Sequence, residues 1–184
     1  TDSINGEAVE TGVDTLQALK EVRISGHVAN VEGNILPDFN GVVYPVIYDK
    51  ARMQSTLAND GGSKKSFTVR NNILYQGKAT VENGRFSFRF KVPKDISYAF
   101  GEGKLSYYAQ DSTTDASGAY QELIVGGTFA DAVADNLGTE VEAYMNDNNF
   151  RSGGITNKNP ILYVEIFDEN GINTTGNGIG HDIT

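Results

Sequence analysis

The sequence predicts an all-β protein: an antiparallel β-sandwich, immunoglobulin-like or related, followed by the C-terminal part of a second, truncated β-sandwich. Three observations predict it. Apolar residues recur with a period of two in several short runs, which is the signature of half-buried strands. β-branched and aromatic side chains fill those runs. The segments between them are rich in Gly, Asn, Asp and Ser, and Gly occupies 21 of 184 positions, as a fold with many turns requires.

Residues 1–20 contain Gly6, Gly12 and weak periodicity, and read as a linker. A helical turn over 14–19 would be too short to stand alone. From Glu21 the period becomes two: Val22, Ile24, Gly26 and Val28 share one face, with Arg23, Ser25 and His27 on the other. Glu32-Gly33-Asn34 ends that strand in a turn. After Asn40-Gly41, Val42, Tyr44, Val46 and Tyr48 alternate with Val43, Pro45 and Ile47, so both faces are apolar. Pro45 cannot donate a ladder hydrogen bond, which places this strand at an edge or at a bulge.

The clearest local signal is residues 79–90. Asn83-Gly84 suits a type I′ turn, in which both central residues take positive φ. Beyond it Phe86, Phe88, Phe90 and Val92 point one way and Arg85, Ser87, Arg89 and Lys91 the other, giving a hairpin with one core face. Further strands are expected over 104–110, 120–125, 139–145 and 161–167, and the one weak helical period lies over 129–137. The small, polar stretch from Gly126-Gly127 to Gly138 suggests a boundary, so the first sandwich is expected over 21–127 and a β extension or incomplete second sandwich over 128–184. Two strands cannot bury a core of their own. They either pack on the first sandwich or open a second, and the second arrangement is preferred.

Composition excludes several classes of chemistry. Lys+Arg number 15 against 24 Asp+Glu, a formal charge of −9. Such a balance disfavours nucleic acid and anionic lipid, both of which call for clustered cations. The absence of Cys removes disulfides, thiolate metal sites and a cysteine nucleophile. No apolar run approaches the ~20 residues of a membrane-spanning helix. The first residues are polar and lack an initial Met, so the chain is expected to be a piece of a longer polypeptide.

Candidate sites are few. His27 lies on the polar face of its strand, and His181 and Asp182 are neighbours that a strand would point apart, so no catalytic set emerges. Asp168, Asn170 and Asn173 supply oxygen ligands of the kind calcium prefers. Their spacing fails the EF-hand pattern, however, and Asn170-Gly171 reads more simply as a turn. No cofactor is therefore expected. Residues 176–182 are glycine-rich but have no following Lys or helix, so a loop is preferred to a phosphate cradle. Tyr98, Phe100, Tyr107 and Tyr108 form an aromatic group. Core packing is its commoner explanation, but Tyr107 and Tyr108 are possible ligand contacts in a sugar-binding module or surface adhesin.

Read in order, residues 1–6, 14–19, 39–45, 92–98, 105–109, 168–173 and 178–184 carry a resemblance. Together they are similar to the region C-terminal to the catalytic domain in the gingipain-like cysteine peptidases that act as sortases of the type IX secretion system of Bacteroidetes. The resemblance implies a non-catalytic β-sandwich accessory region of an enzyme that processes the C-terminal signals of secreted cargo. It also implies an extracytoplasmic, outer-membrane-associated or cell-surface location. Partners would be the upstream peptidase domain of the same polypeptide, secreted cargo and secretion-complex subunits. No catalytic residue carries over, because the nucleophile of such enzymes is a Cys. Unpaired edges over 139–167 are also expected to make the isolated chain self-associate by strand pairing.

Overall fold

The computed structural model describes residues 1–10, 15–132 and 137–168, and every regular element among them is a strand. In chain order these are β1 (Ser3–Ile4), β2 (Glu7–Ala8), β3 (Thr15–Ala18), β4 (Glu21–His27), β5 (Gly41–Tyr48), β6 (Arg52–Ser55), β7 (Ser66–Val69) and β8 (Ile73–Gln76). They continue as β9 (Ala79–Glu82), β10 (Arg85–Lys91), β11 (Gly101–Glu102), β12 (Lys104–Gln110), β13 (Asp115–Tyr120), β14 (Ile124–Thr128), β15 (Glu140–Met145) and β16 (Leu162–Phe167). The described residues fall into two compact units, 1–132 and 137–168.

In the first unit a nine-stranded antiparallel sheet runs in the order β13-β12-β5-β9-β10-β4-β1-β2, with β8 also paired to β5. Its centre is built as the sequence predicts. Asn83 and Gly84 have φ of 51° and 72°, and the turn they make sets Arg85 opposite Glu82. β10 then follows β4 from Arg85–His27 to Lys91–Glu21. That register places Phe86, Phe88 and Phe90 on the same inner face as Val22 and Ile24. Phe86 lies over Gly26, where an added Cβ would come within 2.5 Å of the ring. A three-stranded sheet, β11-β14-β3, shares the same core, with Leu16, Ala18 and Val125 packed among these side chains. Leu16, Ile24, Ile47, Leu105 and Leu123 are wholly removed from solvent. Each such burial contributes ~1.5–3 kcal/mol. The result is a β-sandwich.

Four expectations change. Pro45 sits in a central strand, since β5 is bordered by β12 on one side and by β9 and β8 on the other. Its carbonyl accepts from Gly77 N–H at 3.1 Å, so the donor it lacks would face the break between β8 and β9, close to a register irregularity of β5 between Ile47 and Tyr48. The strand expected over 120–125 is two strands. Tyr120 ends β13 in the large sheet and Ile124 begins β14 in the small one, with buried Leu123 at the crossing. Residues 1–20 are more than a linker: Ile4, Leu16 and Ala18 belong to the core, and β3 pairs parallel to β14. No helix forms over 129–132, where a turn bonds Ala132 N–H to the Phe129 carbonyl, and residues 133–136 lie outside the described residues.

The second unit is the antiparallel pair β15–β16, in register from Glu140–Phe167 to Met145–Leu162. Alternation places Val141, Ala143, Met145, Leu162, Val164 and Ile166 on one face, and all six are exposed. The other face carries Glu140, Glu142, Tyr144, Tyr163, Glu165 and Phe167.

Candidate functional site

Adjacent residues of a strand point to opposite faces, and this separates the two tyrosines singled out in the sequence. Tyr107 points inward from β12. Its ring lies 5.3 Å from that of Phe86, and its hydroxyl is 2.7 Å from Thr1 Oγ1. Burial pushes the phenol well above its ordinary pKa, against a weaker opposing pull from the Thr1 hydrogen bond. Tyr108 points outward and is 43% exposed. It stacks on Tyr44 of β5 with centroids 6.3 Å apart and planes at 28°, and Gln110 Nε2 donates to the Tyr44 hydroxyl at 3.4 Å. The pair forms an aromatic step on the outer face of β5 and β12.

Asp168 accepts a hydrogen bond from Thr139 Oγ1 at 3.0 Å, while Asn170 and Asn173, with the glycine-rich stretch 176–182 and His181, lie outside the described residues. Among the described residues, no three His, Asp or Glu side chains cluster as metal ligands would. His27 is half-exposed and faces a carboxylate: its Nδ1 lies 2.6 Å from Asp2 Oδ1.

Two features lie outside the candidates read from the sequence. The first is a buried polar node at the end of β5. Asp49 is 4% exposed, and its Oδ1 accepts from the Lys50 backbone N–H and from Lys50 Nζ, both at 2.7 Å. Asn72 Nδ2 donates to Oδ2 at 3.1 Å. Lys50 Nζ also reaches the carbonyls of Ser97 at 2.9 Å and Val125 at 3.3 Å, so one ammonium ties the end of β5 to β14 and to the loop after β10. The second is the β6–β7 hairpin, which leaves the sheet just after this node and returns just before it. Between residues 51 and 71 there are four cations (Arg52, Lys64, Lys65 and Arg70) against Asp60 alone. The +3 of this arm stands on a chain of −9, leaving −12 elsewhere. The sequence signal was the clustering of cations.

Fold and site together define an all-β module in which a large antiparallel sheet packs with a small mixed one, in a chain with no cysteine. No family model and no curated protein matches it. Among solved structures, the chain is similar to one described as dimeric latent PorU from Porphyromonas gingivalis, with 33% identity and a TM-score of 0.72. The match covers 98% of this chain but only 17% of the PorU chain, so this chain corresponds to one region of that much longer protein. No helix among the described residues is long and apolar enough to cross a membrane.

Proposed function

We propose that the chain is a non-catalytic accessory region of a gingipain-like cysteine peptidase, a sortase that processes the C-terminal signals of type IX secretion cargo. In this role it holds the peptidase relative to cargo or to partner subunits at the outer membrane or cell surface. The observation that carries the reading is the similarity to PorU along nearly the whole chain, at 33% identity, in a sequence without cysteine. The apolar face of β15–β16 supports a second, larger sandwich, because a two-stranded ladder cannot bury six apolar side chains by itself. The dimeric state of the PorU structure supports self-association of this chain as well. The test is to capture the endogenous polypeptide with an antibody to this region after thiol alkylation of living cells, then to identify it by mass spectrometry. A large chain with a labelled cysteine upstream is expected. A small cysteine-free chain would overturn the reading.

A second reading rests on the Tyr44–Tyr108 step, whose exposed aromatic surface suits stacking on a sugar ring. It makes the chain a carbohydrate-binding module or adhesin. Glycan binding that is lost in Tyr108→Ala would support it, and a flat glycan-array response would remove it.

A further inference from the structure

The β6–β7 arm is built to meet something outside its own unit. Among the described residues, β6 and β7 pair only with each other, so both outer edges of the ladder are open. Such edges readily accept another strand. Met53, Leu57 and Phe67 on the arm are 70%, 77% and 45% exposed. Arg52, Lys64, Lys65 and Arg70 enter no ion pair among the described residues. The root of the arm is nevertheless fixed: Asp49 N–H donates to the Asn72 carbonyl at 2.9 Å, and the two side chains meet in the buried node. Across the hairpin, Ser55 and Ser66 hydroxyls lie 3.0 Å apart and Thr56 N–H donates to the Lys65 carbonyl at 2.9 Å. The arm is therefore an ordered ladder with an anchored base, bearing both charge and apolar surface.

The chain also carries a surface of the opposite character. On β15–β16 the face of Glu140, Glu142 and Glu165 sets Glu142 directly opposite Glu165. Like charges placed so are unfavourable, and cations from outside relieve them. Tyr144 and Tyr163 on the same face donate their hydroxyls to Glu142 at 2.7 Å and to Glu165 at 2.9 Å, and Phe167 adds apolar area beside them.

We propose that the β6–β7 arm of one copy docks on the acidic face of the β15–β16 hairpin of a second copy, with Lys64 and Lys65 against Glu140 and Glu142. This rests on the reading that the chain self-associates, and adds which surfaces meet. Charge complementarity selects the partner, and Phe67, exposed on the face of the ladder opposite Met53, supplies contact area.

The test is sedimentation velocity of the whole 184-residue chain, at low ionic strength and at ~1 M salt, where the Debye length falls to ~3 Å. Association is expected at low salt and should weaken strongly at high salt. K64E/K65E and E140K/E142K, all at exposed positions, should each weaken it by at least about tenfold, about the loss of one to two favourable charge pairs. Mixing the two reversed variants should restore association as a mixed dimer. Wild-type association that K64E/K65E leaves unchanged would overturn the arm while self-association stood. Failure of the mixed pair to associate would overturn the hairpin as its counterpart. A wild-type chain that stays monomeric at every concentration would overturn both.

Discussion

Replacing Asp49 with alanine removes the acceptor at the centre of the buried node. Three donors lose their partner: the Lys50 backbone N–H, Lys50 Nζ and Asn72 Nδ2. Breaking a buried ion pair by deleting one member costs ~3–5 kcal/mol, because the other charge is left uncompensated. Here the ammonium side chain is 15% exposed and keeps the Ser97 and Val125 carbonyls. These reduce the expected loss to ~2–3 kcal/mol, near the cost of unmade hydrogen bonds to charged groups. With nine Tyr and no Trp, intrinsic tyrosine fluorescence reports urea unfolding. At a slope of ~2 kcal/mol per molar urea the midpoint should fall by ~1–1.5 M. Asp49→Asn, which keeps an oxygen for Asn72, should lose less. Coupling with Asn72→Ala should be non-additive, since the two side chains touch. A loss for Asp49→Ala below ~0.5 kcal/mol, or strict additivity with Asn72→Ala, would refute the idea that this node fastens β5 to its neighbours.

Other substitutions probe the sheet and its turns. Gly26→Ala drives a methyl group into the packed Phe86 ring and should cost ~1–3 kcal/mol by thermal unfolding; an unchanged midpoint would contradict the close approach. Gly84→Ala meets both a positive φ and the Leu36 carbonyl, so it should destabilise the unit by more than ~1 kcal/mol in the same assay. Backbone hydrogen bonds from Thr113 and Thr114 hold the Asp111 carboxyl down to about 2. Its folded value lies below the unfolded one of ~3.9, so this turn's contribution is complete above ~4 and is lost as pH falls through ~2. A carbon-13 titration that places Asp111 at ~3.9 would contradict the turn geometry. The Tyr107 phenol is raised by burial, so stability falls as pH climbs past the unfolded tyrosine value of ~10. Ultraviolet titration should show one tyrosine ionising far above the others, and Tyr107→Phe should abolish that component while costing ~0.5–1.5 kcal/mol for the Thr1 hydrogen bond.

What could be read from the sequence was whatever neighbours decide. The Asn83-Gly84 turn and the alternation through Phe90 place the hairpin, and Val22, Ile24 and Val28 fall on the buried face as their spacing requires. Strands held by distant partners were not legible. Asp115-Ala116-Ser117-Gly118-Ala119-Tyr120 has little intrinsic strand preference, and it is extended because β12 provides a full ladder along it. Thr15-Leu16-Gln17-Ala18 reads as a stub of helix, yet it becomes a strand on β14. Pro45 signals an edge or a bulge because a proline withholds one donor; which side of the strand that donor faces is settled only by the neighbouring strands. The opposite orientation of Tyr107 and Tyr108 was implicit in their adjacency. The buried carboxylate of Asp49 had no sequence signal, because its donors come partly from Asn72, on the far side of the arm.

The parallel pairing of β3 with β14 joins residues near the start of the first unit to residues near its end: Thr15 lies beside Ile124, and Leu16 beside Val125. Chain delivered from its N-terminus, whether by synthesis or by threading through a channel, cannot form this clasp until β14 has emerged. Until then Leu16 and Ala18 have no sheet to join, and the β11-β14-β3 side of the core stays open. Closure of so long a loop carries its entropic cost late, when most of the ladder already exists to offset it. A break in the chain between β3 and β14 would turn that closure into an encounter between two separate pieces, whose completion depends on their concentration.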